Sequence, residues 1–299
     1  MYDVIIVGGG PAGLSAALML GRCRRRVLVV DHGKPRNAPA HNMHGYLTRD
    51  GINPIQFLRT GRDELKLYGV EFRNAEVVEA KRRARHFDLQ LHDGAIFRAR
   101  KVLLATGVRD QLPRLEGLAE FYGISVHHCP YCDGWEWRDR ALAAYGDGKA
   151  ALGLALSLRT WTSDVIVCTD GKTRSLRPFR GALRRHRIKH FPQRIQRLEG
   201  KNGRLGRIVF SDGTSVARDA LFFNTGQRQK SALAEKLGCE FDRKGGVKVD
   251  HRERTCVPGL FLAGDATRDV QFVVCAAAEG AIAATAINKE FQQEEGLVL

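Results

Sequence analysis

Two cysteines in the middle of the chain have the spacing of a redox-active pair. Cys129 and Cys132 are separated by Pro130 and Tyr131, so they can close a small disulfide. Neighbouring imidazoles and amides can lower a thiol pKa from about 8.5 by several units. Asp133 follows directly and can carry the proton that moves when one sulfur attacks and the other leaves. The pattern predicts a catalytic dithiol that uses Cys129, Cys132 and Asp133.

The same spacing also occurs in half of a zinc site and in inert buried pairs. The remaining cysteines stand alone, so a four-coordinate zinc site would have to recruit His127, His128 or distant single cysteines. Seven cysteines scattered through 299 residues suit a reducing compartment with one catalytic disulfide. We therefore expect no metal site.

A strand, a glycine-rich turn and a helix open the chain and can position a cofactor. Val4 to Val7 form a buried, parallel-type strand, and Gly8 to Gly13 fit Gly-x-Gly-x-x-Gly before an alanine- and leucine-rich helix. A pyrophosphate can lie on such a helix N-terminus, where unpaired amides and the dipole favour negative charge. The next strand ends about twenty residues on in an acid that can bind ribose hydroxyls; the alternative is a glycine turn without a ligand. The predicted contacts are Gly8, Gly10, Pro11, Ala12, Gly13 and Asp31.

A second copy of this plan begins at Ala141. A strand at Leu142 to Tyr145 leads into a Gly-x-Gly-x-x-Ala turn, and the next strand, Val165 to Cys168, ends near an aspartate. Two repeats of one supersecondary plan predict two dinucleotide-binding domains, the second inserted into the first. NADH, NADPH or a second FAD is the candidate ligand of the second site. Its predicted residues are Tyr145, Gly146, Gly148, Lys149, Ala150 and Asp170.

The other segments complete an α/β fold. Alternating residues from Val70 to Phe97 predict a β-meander, and a buried strand from Gly259 ends in Asp265 before an alanine-rich helix at Gln271 to Phe291. We expect two Rossmann-like domains in three layers, each a parallel sheet, with the meander added. The FAD-binding domain is predicted at 1–113 and 246–299, and the NAD(P)-like domain with the Cys-x-x-Cys pair at 114–245. A polar loop at 33–50 holds the candidate cofactor contacts Asn37, His41, His44 and Asp50.

Composition limits the classes of partner. The net charge is +15 and the isoelectric point is near 9.8, with basic clusters at Arg22 to Arg26, Lys81 to Arg85 and Arg184 to Arg187. Such charge can steer an acidic protein, support peripheral association with an anionic membrane, or belong to a solvated surface. Nucleic acid is not expected, because no recognised binding motif accompanies the charge. No signal region or apolar run of about 20 residues occurs, which predicts a cytoplasmic protein.

Over nearly its whole length the chain resembles the low-molecular-weight thioredoxin reductase family of flavoproteins. The resemblance implies a homodimer that binds FAD in the first domain. It also implies a partner that is a dithiol or disulfide protein such as thioredoxin, or a small dithiol. The motifs that carry it, in the family's order, are Gly8 to Gly13, Ala105-Thr106-Gly107, Cys129 to Gly134 and Gly264-Asp265.

The resemblance also implies how FAD is held. Asp31 would bind the adenosine ribose, Asp265 would bind the ribitol and Gln271 would lie near the isoalloxazine. For Asp265, the alternative is a helix cap. The remaining expected contacts are Val77, Ala105, Thr106, Gly107, Gly264 and Val270.

The cysteines have different implied roles. In the family, the cysteine matching Cys132 lies against the flavin, the one matching Cys129 attacks the partner disulfide, and the acid matching Asp133 shuttles the proton. The loop at 33–50 and the Pro-Tyr spacer followed by Trp135 look closer to the dithiol-oxidising branch, which closes disulfides in small molecules.

The predicted nicotinamide site departs from the family. NADPH-dependent members have a His-Arg-Arg run where this chain has Thr169-Asp170-Gly171. Asp170 repels a 2′-phosphate and prefers free ribose hydroxyls, although Lys172, Arg174 and Arg177 follow closely. We expect an FAD-dependent thiol/disulfide oxidoreductase that exchanges electrons between flavin, the cysteine pair and a partner, with a degenerate NADPH site. The alternatives are an ordinary NAD(P)H-dependent thioredoxin reductase, a dithiol oxidase with a second FAD, oxygen or another acceptor, and a non-catalytic flavin-binding sensor.

Overall fold

The computed structural model describes residues 1–172, 174–267 and 270–297. Two compact units make up the chain: the first contains 1–38, 45–109 and the described residues from 228 onward, and the second contains 39–44 and the described residues of 110–227. The second unit is thus inserted into the first along the sequence. The chain returns to the first unit at Arg228, earlier than the predicted position 246. The reason is that Leu233, Ala234 and Cys239 belong to the core of the first unit.

Both units combine β-strands with α-helices. In chain order, the strands are β1 (Tyr2–Val7), β2 (Val27–Asp31), β3 (Glu71–Asn74), β4 (Val77–Arg82), β5 (Phe87–Leu91), β6 (Ile96–Leu104), β7 (Val108–Asp110), β8 (Val126–His127), β9 (Leu142–Tyr145), β10 (Val165–Cys168), β11 (Lys189–Phe191), β12 (Ile195–Lys201), β13 (Arg204–Phe210), β14 (Ser215–Ala217), β15 (Ala220–Phe223), β16 (Gln227–Gln229) and β17 (Leu260–Leu262). The helices are α1 (Pro11–Arg22), α2 (Pro54–Lys66), α3 (Leu118–Phe121), α4 (Pro130–Asp133), α5 (Gly148–Leu158), α6 (Arg180–Arg185), α7 (Leu233–Lys236) and α8 (Val273–Glu294). Within the described residues, no helix has both the length and the apolar character needed to cross a membrane.

A seven-stranded sheet forms the centre of the first unit. Its order is β3, β2, β1, β6, β5 and β4, with β17 paired to the end of β6. Because successive side chains of a strand point to opposite faces, Val4 and Ile6 pack with α1 and α8, while Ile5 and Val7 pack with β4 and β5. Both faces are covered, which explains why β1 is apolar from Val4 to Val7.

The predicted meander is present over part of its range. Strands β4, β5 and the first half of β6 pair antiparallel, and the turn between β5 and β6 contains Gly94 in the left-handed region at φ +85°. Strand β3 lies outside the meander, since it runs parallel to β2. The meander therefore begins at Val77 instead of Val70.

The second unit repeats the architecture on a smaller scale. Its five-stranded parallel sheet has the order β11, β10, β9, β15 and β8. Helix α5 packs on one face, and the three-stranded antiparallel sheet β12, β13 and β14 packs on the other. A glycine turn leads from β9 into α5, just as one leads from β1 into α1. The predicted pair of Rossmann-like domains is confirmed.

Candidate active site

A short helical turn holds the two cysteines together as a disulfide. Cys129 is the N-cap of α4, and its Sγ accepts a hydrogen bond from the backbone amide of Cys132 at 3.2 Å. Pro130 occupies the first helical position, where no amide hydrogen is needed. Gly134 closes the turn, because a side chain there would meet the Pro130 carbonyl oxygen at 2.5 Å and the Trp161 ring at 2.7 Å. The redox pair is thus part of a closely packed turn.

The other cysteines are in different environments. Cys23 and Cys256 are exposed, Cys168 and Cys239 are buried, and Cys275 is intermediate; all are free thiols. Burial raises the pKa of the Cys168 thiol to about 12 and also raises the pKa of Cys239. Protonated, buried thiols are inert. Among the described residues, no group of three or more His, Cys, Asp or Glu side chains is placed to hold a metal ion.

Asp133 lies beside a buried histidine that a tryptophan orients. The Nε1–H of Trp137 donates to Nε2 of His127 at 3.0 Å. We therefore assign Nε2 as the acceptor and place the ring proton on Nδ1. Nδ1 lies 3.3 Å from Oδ1 of Asp133, and the histidine, 5% exposed, also contacts the Phe222 ring. The hydrogen bond from Trp137 therefore fixes the His127 ring with Nδ1 beside the carboxylate that follows the disulfide.

Two exposed aromatic side chains flank the disulfide. Tyr131 is 73% exposed and Trp135 is 64% exposed. The Tyr131 ring meets Trp161 edge-on, with centroids 5.8 Å apart, and the Arg138 guanidinium lies 4.3 Å from the Trp135 ring centroid. Large aromatic rings left at a surface are typical of a place where a partner binds.

The first glycine turn leaves space at the N-terminus of α1. Gly8 has φ +112°, and a side chain there would meet the Ala105 carbonyl oxygen at 2.2 Å. A side chain at Gly13 would meet the Gly8 carbonyl oxygen at 1.9 Å. At Gly10, the N-cap of α1, a side chain would have no atom of the described residues within 4 Å. The open side of Gly10 and the amides of the first helical turn fit a pyrophosphate.

Two carboxylates at strand ends each pair with an arginine. Asp31 ends β2 and accepts a hydrogen bond from Nη2 of Arg62 at 2.7 Å. Asp265 follows β17 and accepts one from Nη1 of Arg36 at 2.8 Å, and the same Nη1 donates to Oε1 of Gln271 at 2.7 Å. The sequence indicated neither arginine, because each approaches its carboxylate only through tertiary folding. The one local signal was that Arg36 directly precedes a predicted contact, Asn37.

Most other predicted FAD contacts lie at element ends of the first unit. Val77 begins β4 and is buried, whereas Val270 is exposed. Gly264 follows β17, and its amide donates to Oε2 of Glu279 at 2.7 Å. The remaining members begin α1 or follow β6: Pro11, Ala12, Ala105, Thr106 and Gly107.

The loop at 33–50 is divided between the units. Asn37 lies in the first unit, whereas His41 and His44 lie in the second. Nε2 of His44 is 3.5 Å from Oε1 of Glu136, which also belongs to the second unit. Asp50 accepts a hydrogen bond from the Gly45 amide at 2.8 Å and so stabilises a turn of its own loop. The structure thus does not gather the loop candidates into one cluster within a single unit.

Both oxygens of Asp170 in the second unit are already hydrogen-bonded. The Tyr145 hydroxyl donates to Oδ2 at 3.0 Å, and the Ile195 amide donates to Oδ1 at 2.8 Å. Burial and the neighbouring carboxylate raise the pKa of Tyr145 well above its usual value, so it stays a donor. A ribose that used this acid would have to share its oxygens with both donors. The hydroxyl of Tyr145 is thus held against the acid predicted for the second site.

The phosphate end of the second site is more open. Helix α5 begins at Gly148, which has φ +49°, after the N-cap Asp147. Asp147 forms an ion pair with Lys172 at 2.9 Å, and Lys149 and Ala150 are exposed on the first turn. A phosphate arriving here would meet the Asp147 carboxylate as well as these lysines. Gly146, just before this turn, is buried.

The predicted basic clusters differ in how they are neutralised. In the first cluster Arg25 pairs with Glu295, and in the second Arg83 pairs with Asp88. The third cluster, Arg184 to Arg187, is exposed and lies in a stretch without any Asp or Glu from 171 to 198. Positive charge therefore remains most concentrated around α6.

The family model for pyridine nucleotide-disulphide oxidoreductases matches residues 2–280. The chain belongs to this family. A protein of Arthroderma benhamiae named "Probable thioredoxin reductase" is 34% identical over 98% of this chain and 81% of its own length. Thioredoxin reductase tcpT of Claviceps purpurea is 32% identical over 89% of this chain and 86% of its own length. The solved structure of HlmI is 36% identical, covers 98% of this chain and 93% of its own, and superposes with a TM-score of 0.95.

Membership confirms the predicted class. This pyridine nucleotide-disulphide oxidoreductase is a flavoenzyme of the thioredoxin reductase type, and its family implies FAD as the cofactor. FAD supplies the two-electron chemistry, and the protein supplies binding, orientation and electrostatics. The open glycine turn and the carboxylates at the strand ends of the first unit fit that cofactor.

Proposed function

We propose that this enzyme exchanges electrons between FAD, the Cys129/Cys132 disulfide and a dithiol partner, without using NADPH efficiently. The observation that supports this most is the double engagement of Asp170 by Tyr145 and the Ile195 amide. An acid at this position also repels the 2′-phosphate that distinguishes NADPH from NADH. Electrons then enter from a dithiol and leave to oxygen or another acceptor.

Electrons and protons balance when a dithiol is oxidised and oxygen is the final acceptor. Two thiols of the partner become one disulfide, and two electrons and two protons pass to the enzyme disulfide, which opens to two thiols. When Cys129 and Cys132 close the disulfide again, they give up both electrons, for which bound FAD would be the acceptor. Oxygen, as the final acceptor, takes two electrons and two protons to become hydrogen peroxide. The partner is oxidised and oxygen is reduced.

Each group at the disulfide has a proposed role. A thiolate of the dithiol partner attacks the Sγ of Cys129 and forms a mixed disulfide, while Cys132 leaves as a thiolate. The second partner thiolate then attacks the partner sulfur of the mixed disulfide and releases Cys129 as a thiolate. The resemblance implies this division of roles, with Cys129 facing the partner and Cys132 facing FAD. Asp133 holds the proton that moves between sulfur and solvent. The Nδ1–H of His127, fixed by Trp137 through the 3.0 Å hydrogen bond, orients the Asp133 carboxylate. These side chains therefore couple proton transfer to thiol–disulfide exchange.

We also propose which residues hold FAD. Asp31 binds the adenosine ribose, the amides near Gly10 bind the pyrophosphate, Asp265 binds the ribitol and Gln271 lies at the isoalloxazine. The placement of these groups at the ends of β1, β2 and β17 supports the assignment, because ligands of such sheets bind beyond the carboxyl ends of the strands.

The proposed partner is a small dithiol or an acidic thioredoxin-like protein. The exposed rings of Tyr131 and Trp135 beside the disulfide offer apolar contact. The basic surface near Arg184 to Arg187 offers attraction to acidic groups or to an anionic membrane surface. The resemblance implies that the enzyme works as a homodimer, and the cysteine pattern suits the cytoplasm.

An ordinary NAD(P)H-dependent thioredoxin reductase is the second candidate, which the names of the relatives favour. The positions of Lys172, Arg174 and Arg177 after β10 add support, since an arginine cluster can bind a 2′-phosphate.

Anaerobic mixing with NADPH, NADH or a dithiol, followed at the flavin absorbance, separates the candidates. Our proposal expects bleaching by the dithiol and slow or no bleaching by NADPH. Rapid bleaching by micromolar NADPH establishes the second candidate instead, and a protein that neither reductant bleaches is a flavin-binding sensor. Counting FAD per chain shows whether the second unit also holds one.

A further inference from the structure

A largely buried arginine, Arg36, links the residues proposed for the ribitol and for the isoalloxazine of FAD in the first unit. Nη1 of Arg36 lies 2.8 Å from Oδ2 of Asp265 and 2.7 Å from Oε1 of Gln271. The side chain of Arg36 is 16% exposed and that of Asp265 is 21% exposed. Gln271 is held from a second side, since its Nε2 donates to the Asp265 carbonyl oxygen at 3.3 Å. The guanidinium is thus fixed where we propose that the ribitol and the isoalloxazine of FAD bind.

We propose that Arg36 raises the reduction potential of the bound FAD. Reduction adds two electrons and, near neutral pH, one proton, so the flavin gains one negative charge. A fixed positive charge close to the ring favours that state, and it does so more strongly where little water is present to screen it. The N-terminus of α8, two residues after Gln271, adds a dipole of the same sign.

The charge of Arg36 also offsets Asp265. Without the arginine, a carboxylate would face the cofactor alone and would oppose its reduction. Gln271 cannot replace the arginine, because a neutral amide supplies no charge. Removal of the guanidinium therefore lowers the potential by two additive effects: the positive charge is lost and the Asp265 charge is uncovered.

The inference rests on FAD binding in the first unit and deepens the proposed direction of electron flow. When the Cys129/Cys132 dithiol closes, it releases two electrons and two protons; FAD takes both electrons and one proton, and the other proton goes to solvent. A higher flavin potential moves this equilibrium toward oxidised sulfur. Arg36 thus favours a flavin that accepts electrons from dithiols.

The chain contains a matched control. Arg62 also pairs with a carboxylate of the same proposed site, Asp31, at 2.7 Å, but at the adenosine end. Its guanidinium stacks over Phe72, 4.6 Å from the ring centroid. Arg62→Gln removes the same charge from the same kind of ion pair, yet leaves the isoalloxazine end unchanged.

The experiment measures the FAD midpoint potential of the purified holoprotein by equilibration with reference dyes, beside the FAD dissociation constant. We expect Arg36→Gln to shift the flavin–dye equilibrium toward oxidised flavin about tenfold, which is about 30 mV for two electrons. Arg36→Lys, which keeps the charge, should shift it less. Arg62→Gln should weaken FAD binding and leave the potential unchanged.

A potential that is unchanged in Arg36→Gln with FAD fully bound overturns the proposal, as does an equal shift in Arg62→Gln. If Arg36→Gln does not retain FAD, Gln271→Glu takes its place: the new carboxylate neutralises Arg36 and should lower the potential, and an unchanged value is again contrary. No substrate or nicotinamide enters the measurement. Rapid reduction by NADPH would therefore refute the proposed function and leave this comparison intact.

Discussion

Tyr145→Phe tests whether the second unit is closed to nucleotides by its own side chains. The substitution removes the hydroxyl that donates to Oδ2 of Asp170 at 3.0 Å and keeps the ring. A ribose that binds Asp170 in the native protein competes with this hydroxyl for Oδ2. Hydrogen bonds to charged groups contribute about 1.5–3 kcal/mol, so the tyrosine weakens ribose binding by roughly 10- to 150-fold.

We therefore expect Tyr145→Phe to bind NADH roughly tenfold or more tightly than the native enzyme, measured by calorimetric titration. NADPH should gain much less, because the Asp170 carboxylate still repels its 2′-phosphate. Tyr122→Phe is a matched control: its hydroxyl also faces an aspartate of the second unit, at 3.3 Å, but this aspartate, Asp110, is not the acid predicted for the nucleotide site. It should not change either affinity.

Three results would refute this reasoning. The first is equal NADH affinity in Tyr145→Phe and the native enzyme, and the second is an equal gain in Tyr122→Phe. The third is tight NADPH binding by the native enzyme, which would mean that Asp170 is released at no significant cost. Circular dichroism of each variant checks that the fold is retained, so that a missing gain is not a result of unfolding.

Three further predictions concern the cofactor turn, the proton path and the partner. Gly10→Val should fold but lose FAD, since Gly10 has an ordinary φ of −79° and a Cβ there has free space within 4 Å. Gly13→Val should not fold, because a Cβ there would meet the Gly8 carbonyl oxygen. Circular dichroism measures folding and flavin absorbance measures FAD binding; retained colour in Gly10→Val would contradict the assignment. Trp137→Phe should release the His127 tautomer and slow dithiol oxidation about fivefold, the value of one neutral hydrogen bond. The ring ¹⁵N shifts of His127 report the tautomer, and shifts that do not change would contradict the assignment. Cys132→Ser should leave the Cys129 thiolate to attack a protein partner supplied in its disulfide form and to hold it as a mixed disulfide. Formation of this mixed disulfide should slow as salt rises, and salt-independent trapping would exclude electrostatic steering.

Local sequence was sufficient to predict elements whose structure depends on neighbouring residues. The apolar run of β1, the glycines after it and the start of α1 at Pro11 are all found where predicted, because each depends on neighbours within a few residues. The turn with Cys129 and Cys132 is equally local, and the disulfide is closed in the structure. Motif order along the chain then identified the family.

Boundaries were less accurate for a physical reason. Residues 230–245 are predicted to belong to the second domain, yet Leu233 and Ala234 are buried in the core of the first unit. Likewise, β3 has exposed residues throughout and resembles part of a meander, although it pairs parallel to β2. Pairing partners far along the chain decide such cases, and periodicity does not contain them.

The residues that we propose to set the flavin potential and to occupy the acid of the second site depend on contacts between distant parts of the chain. Sequence alone determined the redox pair, the two glycine turns and the acids Asp31, Asp170 and Asp265 at strand ends, because spacing along a βαβ unit places such groups. Only the tertiary structure brought Arg36 to an aspartate 229 positions away, and only it joined Tyr145 to Asp170 across 25 positions. An arginine in a loop or a tyrosine at a strand end has no distinguishing pattern of its own. Its charge or hydroxyl becomes functional when folding removes it from water and places an acceptor within hydrogen-bond distance.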